Sequence, residues 1–311
     1  MGEILRGIEP ERAAALRAEG RFFWADVPVG DGTRAELSMV LGIPEHAMRS
    51  LLDFDPEMHR VHKFHIDGEH VVFPFSCFVE SGPIDVRVLV SGDYLLTVHR
   101  EPVSLPDVID MEYPEGRSEQ YLIYAVLEAM LLTHFDKLAD VDDEIEDLLV
   151  RSVDVKGARV RNQTLREITS DLTRLRRQVA PLRGTFARVS DEIGRVEGLE
   201  PDSERYFDRV GDQINRLVDS IDAAADSVTR LLDLRLNETT YWLTAVATVF
   251  LPLTFVTGFF GMNFGWMVRH ITSPLAFFLL GVGSCVLGVV ATLYALRRRT
   301  PVEPEQGPNR Q

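Results

Sequence analysis

The chain of 311 residues carries 33 Lys and Arg against 48 Asp and Glu, a formal net charge of -15 at pH 7. That balance argues against nucleic acid as a partner, because there is no basic stripe to neutralise phosphates. The two cysteines, Cys77 and Cys285, cannot build a disulfide framework, which suits a reducing cytoplasm.

The opening stretch, MGEILRGIEPERAAALRAEG, holds no apolar core of a signal peptide, so membrane insertion is expected to be directed by later segments. Residues 1–117 read as a mixed α+β cytoplasmic domain. Thr33 to Leu51 contains helical stretches interrupted at Gly42 and Pro44. Lys63 to Val79 offers apolar runs around Asp67-Gly68, a hairpin signal. Ile84 to Val90 and Tyr94 to Val98 are two more strands with Ser91-Gly92-Asp93 as their turn, giving a sheet of at least four strands.

His59, His62 and His65 recur at every third residue, with His70 close behind. The spacing could ligate zinc on a helix, but the later part of the segment alternates like a strand and no Cys joins it. Ordinary surface or sheet histidines are expected instead. No nucleophile and base pairing, phosphate loop or cofactor fingerprint stands elsewhere in the domain, so neither catalytic residues nor a bound cofactor are expected.

From Ser118 the composition turns helical, and residues 118–200 read as an antiparallel helix pair. The first helix runs to about Ser152 from a Ser118 cap region and ends in a dense acidic patch, Asp140 to Asp147. Lys156-Gly157 breaks it. The second runs from about Ala158 to Glu197, is rich in arginine and contains Pro181, an expected kink. Antiparallel packing would set the acidic patch against Arg174, Arg176, Arg177 and Arg183.

Gly198 to Pro201 is a turn, and Asp202 or Ser203 can cap a third helix. Residues 201–240 form a stalk that passes without Pro or a turn cluster into the uncharged run Tyr241 to Asn263, long enough to cross a bilayer. The continuous helix to Gly258 would be on the order of 80 Å long, and a helix of that length needs partners to bury its apolar face. A short loop, 264–273, leads to a second span at 274–297. Arg297, Arg298 and Arg299 close that span, and Arg230 and Arg235 precede the first, so both termini are expected in the cytoplasm of a multi-pass membrane protein. The tail, 298–311, has the composition of a disordered segment.

Counting in sevens along the third helix puts Asp226, Asp233, Thr240, Ala247 and Thr254 on one track and Arg230, Asn237, Thr244, Leu251 and Gly258 on the next. This stripe of small and polar residues fits either a close helix contact or a water-filled path. The carboxylate and amide oxygens of Asp226 and Asn237 below the membrane favour a cation path.

Two terminal spans joined by a short loop, with Gly261-Met262-Asn263 closing the first behind a long soluble region, resemble the CorA family of divalent-cation channels. Pro252-Leu253-Thr254-Phe255 and Phe264 are similar to that family too. The resemblance implies a funnel-shaped homo-oligomer, a pentamer in the family, in the inner membrane. It also implies an axial pore facing Asp226, Asn237, Thr240, Leu243, Leu251 and Thr254, and an outer ring of Asn263 side chains that binds a hydrated cation. Gly261 would permit the tight turn, Met262 would pack, and Leu243 and Leu251 would form apolar constrictions. Asp202 falls near a regulatory-site carboxylate of the family, with Asp85 and Asp93 as candidate partners.

The loop Phe264 to His270 carries Arg269 and no carboxylate, unlike many magnesium-transporting relatives, so its mouth should attract divalent ions less well. This loop moves the chain towards divergent branches such as the ZntB-type zinc transporters, for which proton coupling is proposed. The resemblance to the family as a whole still puts Mg²⁺, with Co²⁺ or Ni²⁺ as surrogates, first as the transported ion and Zn²⁺ second. A membrane-anchored scaffold or sensor without transport is the reading from another class.

Overall fold

The computed structural model describes residues 3–54, 64–79, 81–112, 116–153, 162–199, 205–262, 273, 275 and 277–298. Two compact units divide the chain, residues 1–229 and 230–311.

The first unit is built on one mixed sheet of six strands in the order β1-β2-β6-β5-β4-β3. The strands are β1 (Glu3–Arg6), β2 (Phe23–Pro28), β3 (His65–Ile66), β4 (His70–Val79), β5 (Gly82–Ser91) and β6 (Tyr94–His99). β1, β2 and β6 pair in parallel, whereas β6, β5, β4 and β3 form an antiparallel meander. The two hairpins read from Asp67-Gly68 and Ser91-Gly92-Asp93 are both present. The six strands meet the expectation of at least four; the added ones are β1 and β2, which the sequence pattern did not reveal.

Pro74 lies within β4, where it lacks a ladder donor. Among the described residues β3 pairs only with Val71 and Val72, so no described strand lies beside Pro74 on that side of β4, where a proline is tolerated.

Short helices α1 (Pro10–Ala18), α2 (Thr33–Leu41) and α3 (Glu45–Leu51) cover one face. Leu16, Leu37, Leu41, Ala47, Met48 and Leu51 pack there with Phe23, Ala25, Val27, Val72, Leu89, Tyr94, Leu96 and Val98 from the sheet. Alternate residues of β2 and β6 supply this layer, as a period of two requires. Gly42, at φ +67, ends α2 in the left-handed conformation, and Pro44 precedes α3, so the two breakers act where expected.

Beyond a single turn, α4 (Leu105–Val108), the long helices begin: α5 (Glu119–Val153) and α6 (Asn162–Ile193), of 35 and 32 residues. Phe186 of α6 meets Phe73 and Phe75 of β4 edge-on at 6.2 and 6.5 Å, and His134 of α5 meets Phe78 at 6.2 Å. Thr133 accepts the amide of Phe78 at 2.7 Å. The helix passes through Pro181, whose carbonyl accepts from the Thr185 hydroxyl at 3.2 Å.

The third long helix, α7 (Tyr206–Gly261), has 56 residues and continues through Pro252. At 1.5 Å per residue it is about 84 Å long. Its first turns pack on α5 and α6: Tyr206 stacks on Tyr124 at 5.3 Å and Gln213 donates to Glu128 at 2.7 Å. The arginines of α6 find their carboxylates here, Arg176 on Asp222 at 3.1 Å and Arg183 on Asp219 at 2.7 Å. This corrects the expected pairing of Arg176 and Arg183 with the acidic patch of α5. Its physical reason is that α7, a third helix with its own acidic edge, lies beside α6. Both pairs are largely exposed, so each contributes at most about 1 kcal/mol.

In the second unit α7 is the one described helix long and apolar enough to cross a membrane. A π-helical turn, Phe277–Val282, then leads into α8 (Gly283–Arg298), which has 16 residues. A Cβ on Gly288 of α8 would lie 3.8 Å from Pro252 of α7, an ordinary van der Waals contact, so the two apolar helices pass each other at the proline ring.

Candidate functional site

The residues singled out for a cation path lie on α7 from Asp226 to its end at Gly261, with Met262 and Asn263 just beyond it in the sequence. Asp226, Asn237, Thr240, Leu243, Thr244, Leu251, Thr254, Gly258, Gly261 and Met262 are exposed in the single chain. Leu243 is 66% and Leu251 75% exposed, too much for large apolar side chains to be left facing water. Trp242, Phe250 and Phe255, off the stripe, are as exposed, so the apolar part of the helix is unfinished on all sides without lipid or further copies. Asn263 and the loop that follows it, like Asp202, His59 and His62, lie outside the described residues.

Several threonines of this segment share one hydrogen-bond pattern. Thr240 donates its hydroxyl to Leu236 O at 2.8 Å, Thr254 to Phe250 O at 2.8 Å, and Thr248 to Thr244 O at 2.6 Å. Each hydroxyl proton is thereby spent on its own helix, and the oxygen lone pairs are left as acceptors. A row of hydroxyl acceptors can receive hydrogen bonds from the water shell of a cation without competing donors. No charged side chain lies on α7 between Glu238 and Gly261.

Of the carboxylates suggested as partners for Asp202, Asp93 is already held by Arg17 at 3.1 Å. Asp85 sits on β5 opposite Ser76.

Two clusters, one buried and one largely exposed, could not be read from the sequence. Asp26, 1% exposed, accepts from the Thr97 hydroxyl and from the amide of Leu105, both at 2.7 Å, with His99 at 3.3 Å. Trp24 donates to Thr97 at 2.9 Å. This network ties β2, β6 and the start of α4 and is closed to solvent. The other cluster is His46, His65 and Asp67, where both imidazole Nε2 atoms meet one carboxylate oxygen, at 3.0 and 3.2 Å. Burial would raise the Asp67 pKa, but hydrogen bonds from His46, the His70 amide and His65 outweigh it and hold the carboxyl well below its ordinary range. His65 was singled out by histidine spacing. His46 was not, because its ring reaches the group across 21 residues of sequence.

Comparison with known proteins gives these features a context. The family profile described as CorA-like Mg2+ transporter protein matches residues 19–298. The cobalt/magnesium transport protein CorA of Thermotoga maritima is 32% identical over 154 residues, 47% of this chain and 43% of that protein. The zinc transport protein ZntB of Pectobacterium atrosepticum is 28% identical over 210 residues, 63% of this chain and 61% of that protein. The matched stretches thus span roughly half the length of these relatives. Among solved structures, the complete CorA magnesium transporter of Methanocaldococcus jannaschii matches with TM-score 0.57 and 18% identity, over 89% of this chain and 90% of that one. The ZntB cytoplasmic domain of Vibrio parahaemolyticus matches with TM-score 0.55 and 13% identity, over 70% of this chain and 88% of that one. At such identities the structural matches speak for the fold.

Proposed function

Because this chain belongs to the CorA-like Mg²⁺ transporter family, we propose that it carries a divalent cation along an axial path formed by several copies of α7 around a common axis. The observation that carries this reading is the run of small and polar residues at heptad spacing from Asp226 to Gly258 on one helix, with the Thr240 and Thr254 hydroxyls turned back onto that helix. In a ring of copies the stripe faces inward. Leu243 and Leu251 then stand as apolar constrictions that gate by dewetting, and Thr254 offers hydroxyl oxygens above them. Asn263 amides at the outer mouth contact the waters of a cation that dehydrates reluctantly, as Mg²⁺ does. α7 and the second span, 274–297, form a membrane hairpin with both termini cytoplasmic.

Mg²⁺ is the first choice of ion. Zn²⁺ is the second, supported by the ZntB relatives and by the absence of a carboxylate from residues 264–270. Thiol modification tests the path. In a chain with Cys77 and Cys285 replaced by Ser, a cationic thiol reagent should block ion uptake through Thr254→Cys and leave Phe255→Cys working. Block at Phe255→Cys alone would place the path on another face.

A further inference from the structure

Outside the proposed path, one cluster has the composition of a metal site. His46 stands in the first turn of α3, His65 on the edge strand β3, and Asp67 in the turn between β3 and β4. Their ligand atoms all lie within 4.8 Å of one another. For a tetrahedral ion with bonds of about 2.0–2.1 Å to nitrogen and oxygen, ligand atoms stand about 3.3 Å apart. The spacings from Asp67 Oδ2 to His46 and His65, 3.0 and 3.2 Å, already match that edge within a few tenths. The His46 ring, 57% exposed, already rests against the His65 ring at 4.6 Å, so a small rotation covers the remaining distance.

The carboxylate is aimed by its own turn. Asp67 Oδ1 accepts the amides of Glu69 at 3.0 Å and His70 at 2.7 Å, which fixes the group and turns Oδ2 toward the two rings. This is the outer hydrogen bonding that holds a metal-ligating carboxylate. His70 Nδ1, buried and without a hydrogen-bond partner among the described residues, stands 3.5 Å from Oδ1. The turn also reaches the helical layer, since Gly68 O accepts the amide of Glu197 at 3.0 Å, just beyond α6.

We propose that His46, His65 and Asp67 form a site in the soluble domain for a Zn²⁺-class divalent ion, separate from the transport path. Two imidazoles and one carboxylate suit Zn²⁺, Co²⁺ or Ni²⁺ and not Mg²⁺, which prefers all-oxygen octahedra. Three protein ligands leave a fourth position for water. An occupied site would tie α3 to the sheet edge beside the contact with Glu197.

The test is Co²⁺ titration of the full-length protein in detergent, followed by visible absorption. The expected result is the intense band of four-coordinate Co²⁺, saturating at one ion per chain, displaced by Zn²⁺ and not by excess Mg²⁺. His46→Gln and His65→Gln should each weaken this binding at least about tenfold while the metal-free melting temperature stays near that of the parent. A band that is weak and octahedral, or one that persists unchanged in both variants, would overturn the proposal. Ion uptake by the same preparations in liposomes reads the transport path separately, because a His46→Gln chain that has lost the band keeps every residue of the α7 stripe.

Discussion

Gly92 sits where the β5–β6 turn meets the segment following α6, and nothing larger fits. A Cβ at this position would lie 2.3 Å from Glu197 O and 2.8 Å from Gly198 Cα. Both are backbone atoms, so no side-chain rotation can relieve the overlap. Gly198 cannot yield easily, because it holds φ +96 and a Cβ of its own would fall 3.1 Å from Gly92 Cα. Relief requires the turn and the chain after α6 to separate by about an ångström, which also strains the Glu197 to Gly68 hydrogen bond of 3.0 Å. Overpacking of this kind costs about 2–3 kcal/mol, and Gly92→Ala should lower the melting temperature by roughly 5–10 °C. The matching control is Gly184→Ala on α6, an exposed helical position where a Cβ meets nothing within 4 Å. There the added Cβ lowers the entropy of the unfolded chain, so folding loses less, and stability should rise by about 0.5–1 kcal/mol. Thermal unfolding of both variants, followed by intrinsic fluorescence, reads the opposite signs. A Gly92→Ala protein that melts within about 1 °C of the parent would refute the packing described for this junction.

Three further outcomes are expected. Asp26→Ala strands Thr97, His99 and the Leu105 amide in a closed site and should cost about 3–5 kcal/mol, measured by denaturant unfolding; an unchanged midpoint would contradict it. His134, fully buried in α5 against Ser76, has its pKa pushed down to about 4 by burial, so the unfolded chain binds its proton first as pH falls. Stability tied to this group is therefore complete above about pH 6.5 and declines toward pH 4, by up to about 3 kcal/mol. His134→Gln should flatten the slope of unfolding free energy against pH in that window, and an identical slope would count against the burial argument. Leu251→Ser, which wets a proposed constriction, should raise basal ion leak through reconstituted protein, whereas unchanged leak would remove Leu251 from the gate.

The parts of the fold that could be read from the sequence are those with local causes. Asp67-Gly68 and Ser91-Gly92-Asp93 announce their hairpins because turn chemistry is local, and α2 and α3 stop and start at Gly42 and Pro44 for the same reason. β2 hid because FWADVP carries a charge in its middle, and Asp26 is tolerated there only through partners 71 to 79 residues away. The His46 cluster hid for a similar reason: histidine spacing pointed along the chain, whereas the ligands meet between α3 and a hairpin. Charge counting matched α6 with α5, but Arg176 and Arg183 were drawn to α7, whose neighbourhood no local pattern reveals. That the threonines and small residues of the stripe lie on one continuous helix was readable. What lies opposite it was not, because a straight helix drifts about 20° per heptad and only packing among copies can hold the stripe to one axis.

The central claim, selective passage of a divalent cation through the mouth at Asn263, is tested most directly by uptake into liposomes. Mg²⁺ and Zn²⁺ are compared with and without an inward-acid pH gradient, beside Asn263→Ala. The account predicts Mg²⁺ entry that ignores the gradient and is abolished in the variant. Zn²⁺ entry that rises with the gradient would replace the Mg²⁺ channel by a proton-coupled zinc transporter. No movement of either ion, under conditions where a known channel conducts, would contradict transport altogether and leave the two apolar helices as an anchor for the soluble domain.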